Sequence, residues 1–205
     1  MTVALGIDVG LRALDVVALH ADRTLAADPV RCTAGELGAV LEETAPAIGG
    51  IDSPPEWAPA DRRRACEAAL TATGISLYST PSVEKAEHPF YGWMHHGMDA
   101  FRVCEAAGYR RNATLFEVFP HATTCALLGH RPDKSQTKKV VRGALLRDYG
   151  VVDARIRTMD QIDAALVALT AVLSLHGRTA TFGDTADGLI LVPDVLEHTG
   201  DGFRH

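Results

Sequence analysis

Four acidic side chains stand among apolar neighbours where regular structure begins or ends. They are Asp8 in Gly6-Ile7-Asp8-Val9-Gly10, Asp52 in Ile51-Asp52-Ser53-Pro54, Glu117 in Glu117-Val118-Phe119-Pro120, and Asp163, which follows Asp160 by one helical step. A carboxylate in such surroundings is costly to bury unless it is paired, hydrogen-bonded or bound to a metal. Several of them converging from distant segments would make an oxygen-only site suited to Mg²⁺ or Mn²⁺. Each also has an ordinary explanation when taken alone. Asp52 before Ser53-Pro54-Pro55 suits a turn hydrogen bond, and Asp160 suits a helix first turn, where it meets the positive end of the macrodipole. Glu117 is harder to explain that way, because Glu has poor strand propensity and no basic residue adjoins it in sequence. Asp160 and Asp163 are three apart and project from one side of a helix.

The elements that must hold these groups follow from pattern and punctuation. Val3 to Asp8, Leu14 to His20 and Thr24 to Val30 read as three strands joined by short turns, hence an antiparallel meander. Thr33 with Glu36 forms a capping box ahead of a helix carrying Leu37, Val40 and Leu41, which Pro46 stops. Ile48 to Asp52 is a short strand that two prolines end. Asp61 to Thr73 reads as helix, Ile75 to Thr80 as extended chain, and about Trp93 to Ala107 as helix again. Thr114 to Phe119 is a further strand, ended by Pro120. Helices follow from about Lys138 to Tyr149 and from Thr158, where Gln161 completes a second capping box and Ile162, Leu166, Leu169 and Leu173 mark a buried stripe. Ala180 to Pro193 suggests a hairpin or bulged turn around Asp187-Gly188. The order predicts an α/β fold: a mixed sheet with helices on both faces, a helical and irregular insertion over about 54–112, and one domain spanning 1–205.

Composition sets bounds. The chain has 205 residues, 47% of them hydrophobic and 22% charged, which excludes disorder and leaves enough apolar surface for a core without metal or disulfide support. Cys32, Cys66, Cys104 and Cys125 are too widely spaced for a zinc knuckle or redox pair, so reduced, buried thiols and a cytoplasmic location are expected. The longest nearly apolar stretch, 164–175, is too short to span a bilayer, and no membrane association is expected.

With these motifs in order, the sequence resembles the family catalogued as domain of unknown function 429, regarded as predicted nucleases with a ribonuclease H-like fold. The resemblance rests on Gly6-Ile7-Asp8, Ile51-Asp52-Ser53-Pro54, Glu117-Val118-Phe119-Pro120, Arg142-Gly143-Ala144-Leu145-Leu146, Asp160-Gln161-Ile162-Asp163-Ala164, and Asp187-Gly188-Leu189-Ile190 with Pro193. It implies a five-stranded mixed sheet, three antiparallel strands followed by parallel ones. It implies Asp8, Asp52, Glu117 and Asp163 as the acidic centre, with Asp160 a fifth metal ligand. The activity implied is phosphodiester hydrolysis with one or two Mg²⁺ or Mn²⁺ ions. Met159 stands where the family pattern carries another acid, and Ser135 and Gln136 depart from its basic pattern near Lys134.

The net charge of −6 argues against bulk coating of nucleic acid, yet it is unevenly distributed. Residues 131–157 carry eight Lys or Arg against three Asp, a local +5, which leaves −11 for the rest. Lys134, Lys138 and Arg142 from this segment, with His121, are the candidate substrate-binding groups for a nucleic acid or other phosphodiester. An ordinary solvated helix face is the alternative, as it is for Arg62-Arg63-Arg64. His88, His95 and His96 crowd the insertion with Tyr91 and Trp93, where aromatic rings could stack on bases, although Trp93 and Phe101 also suit a core. Two other functions fit the pattern: a phosphotransferase of the actin and sugar kinase superfamily, which shares the Gly-Ile-Asp-x-Gly strand, and a non-catalytic binding module. Nucleotide hydrolysis would mark the first, and an Asp8→Asn variant altered only in melting temperature the second.

Overall fold

In the computed structural model, which describes residues 1–186 and 188–194, the meander begins as the pattern requires. β1 (Val3–Val9) pairs antiparallel with β2 (Leu14–His20), and β2 with β3 (Val30–Cys32). The third strand lies later than its sequence suggests. Residues 24–29 make a single bridge, Leu25 to Leu19, because Pro29 lacks the N–H a ladder needs. Helix α1 (Leu37–Thr44) then leads to β4 (Ile48–Asp52), parallel to β1. Between β4 and β5 lie α2 (Ala65–Ala72), two short 3₁₀ turns at Val83–Lys85 and Pro89–Tyr91, and α3 (Gly92–Ala106). β5 (Leu115–Val118) is followed by α4 (Pro120–Leu128), α5 (Lys138–Asp148), α6 (Met159–Leu175), β6 (Thr179–Asp184) and β7 (Gly188–Pro193).

The described residues form one seven-stranded sheet in the order β3-β2-β1-β4-β5-β7-β6, not a five-stranded one. The two additional strands are the C-terminal hairpin, which docks β7 parallel on β5 and leaves β6 as the edge. Asp187, expected in its turn, lies outside the described residues. α4 is also additional. Pro120 ends the strand but serves as the first residue of a helix, where its missing N–H costs nothing.

Side chains alternate across the sheet. One face, with Ala4, Val17, Phe116 and Val118, packs under α6, which is buried along nearly its whole circumference from Ile162 to Leu173. The other, with Leu5, Ile7, Ile51 and Leu115, packs under α1 and α3. A third cluster joins α2, α4 and β7. Among the described residues no helix is long and apolar enough to cross a membrane.

Candidate metal centre

Asp8 and Asp52 are direct partners across the parallel β1–β4 ladder, so their side chains leave the same face of the sheet. That face belongs to α6, and Gly6 sets how close the helix comes. A Cβ on Gly6 would overlap the Ala164 carbonyl and the Ala168 amide, so strand and helix meet backbone to backbone. The same contact brings Asp163, the residue before Ala164, to the two strand-end acids. Thr158 fixes the start of α6 through its hydroxyl, which accepts from the Gln161 N–H at 3.0 Å, while the Gln161 side chain accepts from the Thr158 N–H at 3.1 Å.

The electrostatics show crowding. Burial pushes the Asp8 carboxyl up to about 8, and the charges of Asp163, Asp160 and Asp15 push the same way, with Arg142 opposing. Burial, then Asp8 and Asp163, hold Asp52 well above the usual carboxylate range. Asp163 is also raised by burial but is opposed by Arg142, whose guanidinium forms an ion pair with it. Among the described residues neither Asp8 nor Asp52 has an ion-pair partner.

The other two predicted ligands add their charge to this trio, Asp160 to Asp8 and Glu117 to Asp52, but each has an arginine partner of its own. Glu117 stands opposite Ile51, one residue out of step with Asp52, and alternation turns it toward the other face. There Arg64 donates to both of its carboxylate oxygens, at 3.1 and 2.5 Å. Arg64 is almost fully buried and also lies 3.7 Å from Glu67, which accepts from the Thr80 N–H at 2.8 Å. Asp160 is more exposed and lies 3.6 Å from Arg31. Arg31 in turn donates to Asp15 at 2.9 Å. Asp15 is the group the pattern did not reveal: it is buried on β2, directly opposite Asp8 on the side away from Asp52. The β1–β2 turn length was its available signal, because in an antiparallel hairpin the turn fixes which residues face each other.

A family model, "Protein of unknown function (DUF429)", matches residues 6–187. The chain belongs to the DUF429 family. No curated protein matches it. Among solved structures, RuvC of Thermus thermophilus in complex with a Holliday junction substrate superposes with a TM-score of 0.52 at 17% identity, covering 87% of this chain and 96% of that one. A second structure of Thermus thermophilus RuvC gives 0.48 at 17% identity, over 86% and 97% of the two chains. The DUF429 chain therefore has the ribonuclease H-like fold that its motifs imply.

Beside the acids of this DUF429 protein, Asp52, Asp163, Arg142, His121 and Lys138 line a mouth of about 430 Å³. It adjoins a basic cavity of about 480 Å³ that also includes Lys134 and Arg131. Lys134 and Lys138 are exposed, whereas Arg142 is buried against Asp163. Burial, then the charges of Arg142, Lys138 and Arg131, lower the His121 imidazole below its usual range and favour its neutral form. The insertion histidines do not gather around it. His88 accepts from the Phe90 N–H at 3.2 Å, and the His95 ring sits edge-on to Trp57 at 5.2 Å. Trp93 is half-buried and lines a cavity, while Phe101 is in the core.

Among the described residues no group of three or more His, Cys, Asp or Glu side chains stands close enough together to hold a metal ion as placed. The donor set still suits a hard divalent ion. Asp8, Asp52 and Asp163 offer only oxygen, and such a cation would offset both the burial of their charge and their mutual repulsion.

Proposed function

We propose that this DUF429 protein hydrolyses phosphodiester bonds in nucleic acid, using Mg²⁺ or Mn²⁺ held by Asp8, Asp52 and Asp163. The observation that supports this reading most is the gathering of those buried carboxylates at the ends of the central strands β1 and β4, with Asp8 pushed up to about 8. Structural carboxylates normally acquire partners, whereas functional sites concentrate perturbed groups. A bound divalent cation would supply an activated water and charge stabilisation for an in-line displacement.

The chain's own groups prepare the rest of the reaction. Arg142 orients Asp163 through their ion pair and keeps positive charge at the mouth. Lys138 and Lys134 present ammonium groups along the adjoining cavity, where they can hold the flanking phosphates. His121, kept neutral, can donate a hydrogen bond to a phosphate oxygen there. Glu117 takes a supporting part, because Arg64 already occupies its carboxylate and ties α2 to the sheet.

The test joins metal binding to cleavage. Titration calorimetry with millimolar Mn²⁺ should show binding to the wild type and none to Asp8→Asn. The wild type should then cleave fluorescent DNA, and the Holliday junction bound by the structurally similar RuvC makes a four-way junction the first substrate to assay. Absence of both metal binding and cleavage, on junction, single-stranded and structured RNA substrates, refutes the proposal.

A further inference from the structure

A cavity of about 320 Å³ adjoins the basic mouth, sharing Asp52, Leu77, Tyr78 and Phe119 with it. Its walls come from the end of β4, the insertion, the end of β5 and Ile190 of β7, and they include the rings of Tyr78, Phe90, Tyr91, Trp93 and Phe119. Two of these rings lie open to solvent, Tyr78 at 96% and Phe90 at 65% exposure. Large aromatics left so bare beside a concave apolar site mark a binding surface rather than a core.

Charge selects the occupant. The acidic groups on the cavity are Asp52, Glu67 and Glu117, and the oxygens of the two glutamates are committed to Arg64, Arg63 and Thr80. A phosphate would be repelled there, whereas a flat, uncharged ring would stack. The phosphate of the same nucleotide would be attracted instead to Lys138 and Arg142 in the adjoining mouth.

We propose that this cavity receives an unpaired nucleobase of the substrate strand, the base next to the phosphodiester held at Asp8, Asp52 and Asp163. The inference rests on the phosphodiesterase reading and deepens it, since it makes an unstacked nucleotide the preferred substrate feature. The volume lies at the small end of the roughly 300–1,000 Å³ range of ligand cavities, which suits one planar ring system rather than a base pair. Recognition is by stacking, with both glutamates of the wall already engaged, so the pocket tolerates any base.

The experiment measures affinity, not cleavage. The full-length Asp8→Asn chain is titrated in Mg²⁺ buffer against a fluorescent single-stranded DNA dodecamer, and against the same dodecamer with one base removed at each position in turn. Loss of the base at one position should weaken binding roughly 5- to 150-fold, the range expected for one base–aromatic stack. Swapping that base for another should change binding less than about threefold on the same grounds. Tyr78→Ala and Phe90→Ala remove exposed rings that lie outside the core. They should shrink the difference between intact and abasic oligonucleotides, and Trp93→Leu should abolish it. Equal affinity for intact and abasic DNA at every position overturns the base pocket while leaving the phosphodiesterase reading standing. A base-dependent difference that persists when wild type neither binds Mn²⁺ nor cleaves supports the pocket and refutes the hydrolytic reading. Failure to bind any dodecamer overturns the pocket.

Discussion

The burial of Asp8, with the acids around it, has a measurable cost. Its carboxyl titrates near 8 in the folded chain against 3.8 for an unperturbed aspartate. Below pH 3.8 the group is protonated in both states and costs nothing. Between that point and about pH 8 the unfolded chain ionises while the folded one holds its proton, so stability falls as pH rises. Above about pH 8 the full penalty is present, on the order of 5 kcal/mol at ~1.4 kcal/mol per unit. Asn keeps the shape of the protonated acid and never ionises. Asp8→Asn should therefore match the wild type near pH 4 and exceed it progressively, reaching about 10–20 °C in melting temperature at pH 9. The acids are coupled, and removing one charge also relieves Asp52, so the profile belongs to the set rather than to a single residue. The assay is urea and thermal unfolding of both proteins in EDTA from pH 4 to pH 9. Adding millimolar Mg²⁺ at pH 9 should then stabilise the wild type and not the variant. A variant less stable than wild type at pH 9, or a difference that does not change with pH, would refute the reasoning.

Two further substitutions test how the site is positioned. Gly6→Ala places a methyl group on the backbone of α6 at Ala164 and Ala168, so the helix must move; a loss of at least about 3 kcal/mol in urea unfolding is expected, and a neutral result would mean the close approach is absent. Arg64→Met strands Glu117 and Glu67 without their buried counter-charge and should cost about 3–5 kcal/mol, much of it recovered when Glu117→Gln is added; no recovery in the double-mutant cycle would show that Arg64 acts by packing alone.

Much of this arrangement was legible along the chain because it rests on local rules. The capping box of Thr158 and Gln161 announced α6, and strand-breaking prolines marked the ends of β4 and β5. The C-terminal hairpin was visible from the Asp187-Gly188 turn signal, yet its place in the sheet was not, since docking on β5 depends on a surface built by distant residues. α4 escaped notice for the opposite reason. Pro120 looks like a stop from the strand side, and the helix is buried at most of its positions, so it lacks the one-sided apolar stripe that reveals a helix.

The sequence by itself determined that Asp8, Asp52 and Asp163 are acids in places where acids are expensive, because propensity and apolar context are read over a few residues. Only the tertiary structure decided what surrounds each of them. Strand register set Asp15 and Asp52 on either side of Asp8 and turned Glu117 to the opposite face. The missing side chain of Gly6 let α6 deliver Asp163, with Arg142 as its counter-charge. Arg64 and Glu117, 53 residues apart, meet only because α2 packs against the β6–β7 hairpin, which lies beside β5. Ion pairs and repulsions act over a few ångströms in a poorly screened interior, and such distances are fixed by packing, not by separation along the chain.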